Sequence, residues 1–368
     1  MYIEIGGNFW CDTSKIKNYN NIEINFAKFK NIKFRDIEYF SSGRNAIGFI
    51  LDNIGYHREK RALLPMYTCT SVIKPFIDRG YYLEFYDIDI NLEVDIKDFE
   101  EKIISFKPSI VLFHAYYGFD TLKDIKSKIM SIRKKNIIII EDITQSFMSD
   151  IKHIDADYYI GSFRKWLAVP DGGFAINKND FFSRKPMNIN KKLVDLRLQA
   201  FYVKYNYMKN NIGSKEDFIK LYIDSEEIFD DNFIYKISSE SKFILNNCNK
   251  QEIIKKRKNN FYRLLKGIEG KKSIIIPVFR SMPKNITPLY FPIYVEGDRD
   301  DLRKYLSINN IYAPVIWPIP CYIKNISNNI LNIYQKILAI PCDQRYDLQD
   351  MDSVVEILLK YKGWKHIL

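Results

Sequence analysis

The sequence predicts an α/β protein, with a large domain built on a mostly parallel sheet and a smaller α+β domain at its C-terminal end. Three observations carry that expectation. From about residue 43 the chain alternates helical and strand patterns. The strand segments are apolar throughout rather than at every second residue, as strands buried on both faces are. After Gly270 the texture changes, and short strand patterns are followed by helices, which is the mark of a small α+β unit. A chain of 368 residues has room for both units, here divided at residues 1–250 and 251–368.

Taken in order, residues 45–53 have helical spacing and residues 61–65 form a short strand closed by Pro65, since proline suits a strand end. Residues 71–79 are helical, stopped by Gly80, a residue that readily takes the left-handed cap conformation. Strands follow at 81–86, 109–114, 136–141, 157–161 and 172–176, with helices at 95–105 and 122–134 between them. Helices are expected at 191–211, 215–224 and 251–265, strands at 273–277 and 289–295, and helices at 299–309 and 351–360. Ligands of such sheets bind beyond the carboxyl ends of the strands, and His114, Asp142 and Ser162 all fall at such ends.

Composition excludes several classes. Aromatic residues make up 15% of the chain, ample apolar surface for a folded core. No apolar run approaches the roughly 20 residues of a spanning helix. The start, Met1-Tyr2-Ile3-Glu4-Ile5, lacks the basic and apolar regions of a secretory signal, so a cytoplasmic location and no membrane insertion are expected. Cys11, Cys69, Cys248, Cys321 and Cys342 are widely scattered, and His57, His114, His153 and His366 show no ligand spacing. Neither a disulfide framework nor a metal site follows. The net charge of +11 is spread along the chain. Its one dense cluster, Lys255-Lys256-Arg257-Lys258, falls on an expected helix and reads as a solvated face rather than a nucleic-acid stripe. The positive balance suits a small anionic substrate such as a phosphate ester or a nucleotide sugar.

The chemistry centres on Lys165, in Gly161-Ser162-Phe163-Arg164-Lys165-Trp166, which runs on to Pro170-Asp171-Gly172-Gly173. A serine hydroxyl just before a lysine, between a strand and a glycine pair, is a way to hold pyridoxal 5'-phosphate. The hydroxyl takes a phosphate oxygen and the amine forms a Schiff base with the aldehyde. The apolar neighbours Trp166 and Leu167 would desolvate the lysine and lower its pKa. Asp142, 23 positions earlier, supplies a carboxylate at a strand end, suited either to a protonated pyridine nitrogen or to backbone amides in a loop. Ser42-Gly43-Arg44-Asn45-Ala46 opens a helix, where exposed amides receive phosphate and Gly43 permits close approach. Gln145 stands ready for a ring hydroxyl. His114 and Tyr117 are expected to line the pocket or pack at the strand end. Arg164 is a candidate phosphate or substrate contact, and Trp317 and Arg345 are candidates to close over a substrate from the smaller domain.

In this order the pieces resemble the pyridoxal-phosphate sugar aminotransferases of the DegT family, of fold type I with aspartate aminotransferase. The matching residues are Ser42 to Ala46, Leu64-Pro65-Met66-Tyr67-Thr68, Glu141-Asp142-Ile143-Thr144-Gln145-Ser146, Asp157 through Ser162, Lys165, and Asp171-Gly172-Gly173. Downstream, residues 253–265, 310–317 and 337–341 resemble the connecting helix and closing strands of the small domain. The resemblance implies Asp142 on the pyridine nitrogen, Gln145 on the ring, Ser162 with Gly43 and Arg44 on the phosphate, and Lys165 as the Schiff-base lysine. It also implies a homodimer, an amino-acid donor such as glutamate, and a keto sugar nucleotide or small phosphorylated ketone as acceptor, for cell-surface polysaccharide. The chain departs from the family pattern in three places. Lys165 follows Ser162 by three positions rather than five, Cys69 stands where a stacking aromatic often does, and residues 180–250 match poorly. The last two departures also admit a catalytically silent relative that binds a sugar nucleotide or a partner protein.

Overall fold

The structure, a computed structural model, describes residues 4–16, 23–55, 59–229, 233–271 and 274–362. Met1 to Ile3, His57, His366 and Ser273, which opens an expected strand, lie outside the described residues.

In chain order, β1 (Ile5–Gly6) and β2 (Asp36–Phe40) precede α1 (Gly43–Ile54), β3 (Arg61–Pro65), α2 (Thr70–Ile77), β4 (Tyr82–Tyr86) and α3 (Ile96–Phe106). Then come β5 (Ile110–His114), α4 (Ile129–Arg133), β6 (Ile138–Asp142), β7 (Tyr158–Ser162) and β8 (Gly173–Asn177). A helical stretch follows, with α5 (Lys191–Asn210), α6 (Lys215–Ile228), α7 (Ser239–Asn247) and α8 (Lys250–Ile268). The chain ends with β9 (Ile275–Pro277), β10 (Phe291–Val295), α9 (Arg299–Ile308), β11 (Ile311–Tyr312), α10 (Asn328–Lys336), β12 (Ile337–Ile340) and α11 (Leu348–Lys360).

Among the described residues the large sheet has the order β2-β8-β7-β6-β5-β3-β4. Strands β3 to β7 pair in parallel, and β8 runs antiparallel to both its neighbours. The central strand β5 is buried along its whole length, as its unbroken apolar run requires. A second sheet, β12-β10-β9, is antiparallel, and β1 pairs with β11. Chain direction follows local chemistry. Ser42 caps α1 by accepting from the Asn45 amide, and Asp95 caps α3 from the Lys97 and Asp98 amides, each satisfying amides the helix leaves open.

Two expectations are corrected. Residues 122–134 do not form one helix. A 3-10 turn at Ile125–Lys128 leads into the five-residue α4, and neither piece has a side-chain cap at its N-terminus, so the first turn tightens. The basic cluster on α8 is not wholly a solvated face. Arg257 is buried, because it falls on the stripe of Ile253, Phe261 and Leu264 that α8 turns to the core. Its Nε donates to Gln344 Oε1 at 2.7 Å and its guanidinium to the Leu289 carbonyl at 2.9 Å.

The two sheets are joined at the face that carries the strand ends. Tyr334 of α10 donates to the Met66 carbonyl at 2.9 Å, and Tyr117 donates to the Ile316 carbonyl at 3.1 Å. No helix among the described residues is long and apolar enough to cross a membrane.

Candidate active site

Parallel register places the polar strand ends side by side. His114 at the end of β5 is paired with Asp142 at the end of β6, and Asp142 with Ile160 of β7, which ends two residues later at Ser162. All three polar residues line one cavity of about 350 Å³, together with Gly43, Arg44, Gln145, Arg164, Lys165 and Trp317. A volume of this size lies at the lower end of the roughly 300–1,000 Å³ usual for small-molecule sites.

Close backbone packing forms one wall. A Cβ on Gly43 would meet the Ser162 Cβ at 3.5 Å, so the first turn of α1 lies against the end of β7. A Cβ on Gly173 would sit 2.3 Å from the Ser42 carbonyl carbon, a distance no side chain tolerates. Gly172 adopts φ +142°, a conformation that favours glycine. The glycine pair therefore lets the chain pass directly behind the start of α1. The buried Asp171 carboxylate fixes this passage by accepting from the Ser238 hydroxyl at 2.6 Å. The Arg44 side chain turns away to the Phe229 carbonyl (2.8 Å) and the Ser71 hydroxyl (3.0 Å), which leaves its backbone at the helix start.

Asp142 is buried and accepts the Thr144 amide at 2.8 Å. Burial pushes its carboxyl up to about 6, against the lowering from Thr144 and from the Lys165 charge. A buried carboxylate raised in this way gains most from a cation beside it. His114 is buried with Nε2 3.1 Å from Thr68 Oγ1, and burial pushes its pKa down to about 3, so the ring is neutral. Trp317 meets its edge with centroids 5.6 Å apart.

Lys165 ends a 3-10 turn, Phe163–Lys165, that follows β7 directly. Its position relative to Asp142 is set by its neighbour. Trp166 is fully buried, and its indole Nε1 donates to the Thr144 carbonyl at 2.7 Å. The two loops that carry the carboxylate and the amine are thus pinned together. The expected desolvation of Lys165 is corrected. In the single chain its side chain is exposed, because Trp166 and Leu167 point into the core and Lys165 does not.

Other expected positions are resolved as follows. Gln145 lines the cavity, but its Oε1 accepts the Tyr117 amide at 2.6 Å. Tyr117 is buried outside the lining, and its hydroxyl lies 3.2 Å from that of Tyr67. Its role is to hold Gln145 and the smaller domain. Cys69 lines the cavity and caps α2, accepting from the Ser71 amide. Arg164 pairs with Glu226 at 2.8 Å and stacks over Phe229. Arg345 does not reach this cavity. It is locked to Asp343 at 2.8 Å and donates to the Gly7 and Asn8 carbonyls, lining the adjoining spaces instead.

The sequence reading missed Arg197 and Glu226. Arg197 is buried on α5 beside Val194, Ala200 and Phe201, and it ion-pairs with Glu226 of α6. The available signal was a charged residue within a helix's apolar stripe, a place such residues rarely occupy without a partner.

No protein-family model and no curated protein matches the sequence. Solved structures do. An aminotransferase of the DegT DnrJ EryC1 StrS type from Brucella abortus superposes with TM-score 0.64 at 15% identity, over 90% of this chain and 87% of that one. PseC of Helicobacter pylori, an aminotransferase in pseudoaminic acid biosynthesis, gives 0.65 at 12%, over 89% and 88%. NtdA of Bacillus subtilis, solved with bound cofactor PMP, gives 0.63 at 18%, over 89% and 74%. The fold is that of the DegT-type sugar aminotransferases. At these identities the likeness concerns the fold.

Proposed function

We propose that this chain is a pyridoxal-phosphate-dependent aminotransferase acting on a sugar substrate, with Lys165 as the residue that holds the cofactor. In this reading it is a cytoplasmic homodimer. It takes nitrogen from an amino acid, glutamate foremost, and passes it to a keto sugar nucleotide or a small phosphorylated ketone on the way to cell-surface polysaccharide. The observation that carries the reading is the convergence of Lys165, Asp142, Ser162 and Gly43 on one cavity at the carboxyl ends of parallel strands. Solved neighbours with the same fold include structures described as aminotransferases, and another, NtdA, holds bound PMP.

The residues fit the group. The glycine-backed start of α1 offers amide donors to a phosphate, at the positive end of a 12-residue helix, and the Ser162 hydroxyl, which donates to the Gly172 carbonyl at 3.3 Å, would turn from that long bond to add another. Asp142, the buried carboxylate raised to about 6, would keep a pyridine nitrogen protonated and would itself be ionised by that charge. Gln145 presents its amide nitrogen, since its oxygen is occupied by Tyr117. The neutral His114 ring and Trp317 bound the pocket without adding charge. When bound, pyridoxal phosphate supplies the electron sink for charge developing on a substrate carbon. In this reading Lys165 Nζ takes the proton from the donor's α-carbon, and later returns one to the carbon that receives nitrogen. The bond from Trp166 to Thr144 ties the turn that carries Lys165 to the loop that follows Asp142, and holding reacting groups in orientation lowers the barrier to reaction.

The test is direct. The purified protein should be yellow, or become so on adding pyridoxal phosphate, and should transfer nitrogen from glutamate to a keto sugar nucleotide in an acceptor screen. Lys165→Ala should lose both colour and turnover. A colourless protein that takes up no pyridoxal phosphate would favour the silent, ligand-binding reading instead.

A further inference from the structure

Asp142 lines the strand-end cavity, and its neighbour Glu141 therefore faces the other side of β6. There it ends a buried chain of ionisable side chains, Lys30, His153 and Glu141, that the proposed chemistry does not use. Lys30 follows a 3-10 turn at Phe26–Lys28 and is 7% exposed, and Glu141 is 1% exposed. Lys30 Nζ donates to the Ser149 carbonyl at 2.6 Å, to the Ser146 carbonyl at 3.0 Å and to His153 Nε2 at 3.0 Å. An ammonium only donates, so the imidazole accepts at Nε2 and carries its proton on Nδ1. That Nδ1 donates to Glu141 Oε1 at 2.7 Å, and Glu141 Oε2 accepts the Ile154 amide at 2.9 Å. All three ammonium hydrogens and both carboxylate oxygens are occupied.

The two carbonyls belong to the loop that leaves Asp142. The loop turns twice, with the Ser146 amide on the Ile143 carbonyl (3.1 Å) and the Ser149 amide on the Ser146 carbonyl (3.0 Å). Its front presents Thr144 and Gln145 to the cavity. Its back presents Phe147 to Phe29, with ring centroids 5.3 Å apart. A hydrogen bond from a charged donor is roughly twice as strong as a neutral one, so the charge on Lys30 matters to the loop. Burial pushes that amine down to about 7, while Glu141 raises it, Lys250 of α8 lowers it and Asp150 raises it. Tyr159 of β7 stands edge-on to His153, with centroids 6.1 Å apart. A deprotonated amine has two N–H donors for three acceptors. One bond of the chain is then lost.

We propose that Lys30 is a positioning residue for the strand-end cavity: its charged amine fixes, from behind, the loop that holds Thr144 and Gln145 at the cavity wall, with Glu141 as its counter-ion through His153. That the wall serves pyridoxal phosphate rests on the aminotransferase reading; that the ammonium sets the loop does not. Gln145 and the Thr144 carbonyl that anchors Trp166 belong to this loop. Cofactor affinity therefore follows the protonation of a side chain that never touches the cofactor.

The experiment is hydrogen exchange by mass spectrometry on the full chain without cofactor, from pH 6 to pH 9. Rates are corrected for the intrinsic pH dependence and read on the peptide that carries the Ser146 and Ser149 amides. Pyridoxal phosphate affinity is titrated by absorbance on the same samples. Protection of the peptide should fall about tenfold as pH rises through about 7, with β5 unchanged. Lys30→Met should show the low value throughout. Glu141→Gln removes the carboxylate that favours the ammonium, so the step should move to lower pH, and it decides the matter should Lys30→Met fail to fold. Asp142→Asn should keep the step. Pyridoxal phosphate should bind Lys30→Met about tenfold more weakly than the parent at pH 6, and equally at pH 9. A parent without the step, a step that Lys30→Met retains, that Glu141→Gln leaves in place or that Asp142→Asn abolishes, or equal cofactor affinities at pH 6 would each overturn the proposal. Exchange as expected in a chain that takes up no pyridoxal phosphate would remove the aminotransferase reading and leave the hold of Lys30 on the loop standing.

Discussion

The strand-end cradle and the arginine-lined cavity beside it share Lys165 but are built in opposite ways. The cradle is placed by backbone. His114, Asp142 and Ser162 hold their positions because β5, β6 and β7 pair in fixed register, and Gly43 and Gly173 allow main chains to touch. The second cavity is placed by side chains. Arg197 and Glu226 come from α5 and α6 and are held by an ion pair across helices. A backbone-built site should fail abruptly when its geometry is disturbed. A charge-built site should respond in graded steps, and in either direction.

The largest effect is expected at the lysine that belongs to both. Lys165→Ala should lower turnover by roughly 10²–10⁴-fold, the usual reach of a positioned acid–base group, with the fold intact by circular dichroism. Next comes the backbone. Gly173→Ala would force a methyl to within 2.3 Å of the Ser42 carbonyl carbon. It should cost about 1–3 kcal/mol by overpacking, seen as a lower melting temperature together with lost pyridoxal phosphate uptake. If uptake survived, the cradle would not depend on close backbone approach, and the contrast between the two cavities would weaken.

Asp142 supplies a pH test of similar size. Its folded value of about 6 lies above the ordinary 3.8, so the folded chain holds that proton more tightly than the unfolded one. The associated stability is full below about 3.8 and is lost as pH rises through about 6. Without cofactor, Asp142→Asn should therefore be more stable than the parent at pH 8, by about 1–3 kcal/mol, and no more stable below pH 4. Paired melting curves at the two pH values check this. With cofactor present the ranking at pH 8 should reverse, because the variant loses the pyridine partner.

The smallest effect sharpens the link between the two loops. Trp166→Phe keeps most of the buried ring and removes the bond to the Thr144 carbonyl. About 1 kcal/mol of stability should go, with kcat falling more than KM rises, measured by steady-state kinetics.

The same contrast explains what could be read in advance. β3 and β5 announce themselves through unbroken apolar runs, and the residues at the ends of β5, β6 and β7 then fall together by topology alone. β2 was not anticipated, because Asp36-Ile37-Glu38-Tyr39-Phe40 is half-buried at the sheet edge and mixes charge with apolar residues. The short helix α7 was missed for a similar reason. Its purpose is to present Ser238 and Ser241 to Asp171, a contact about 70 residues away in sequence. Arg197 and Glu226 escaped notice, and Arg257 was read as part of a solvated face, because their partners come from packing between distant segments, where charge on a helix looks like ordinary surface until its contacts are known. The exposure of Lys165 was misjudged by reading its apolar neighbours as its surroundings, when they face the other way.

The most direct measurement is borohydride reduction of the protein loaded with pyridoxal phosphate, followed by peptide mass mapping. A single reduced pyridoxyl group on the Lys165 Nζ is the predicted outcome, with Ser162 on the same labelled peptide where cleavage permits. A label on some other lysine, or none at all on a protein that demonstrably folds, would contradict the central assignment.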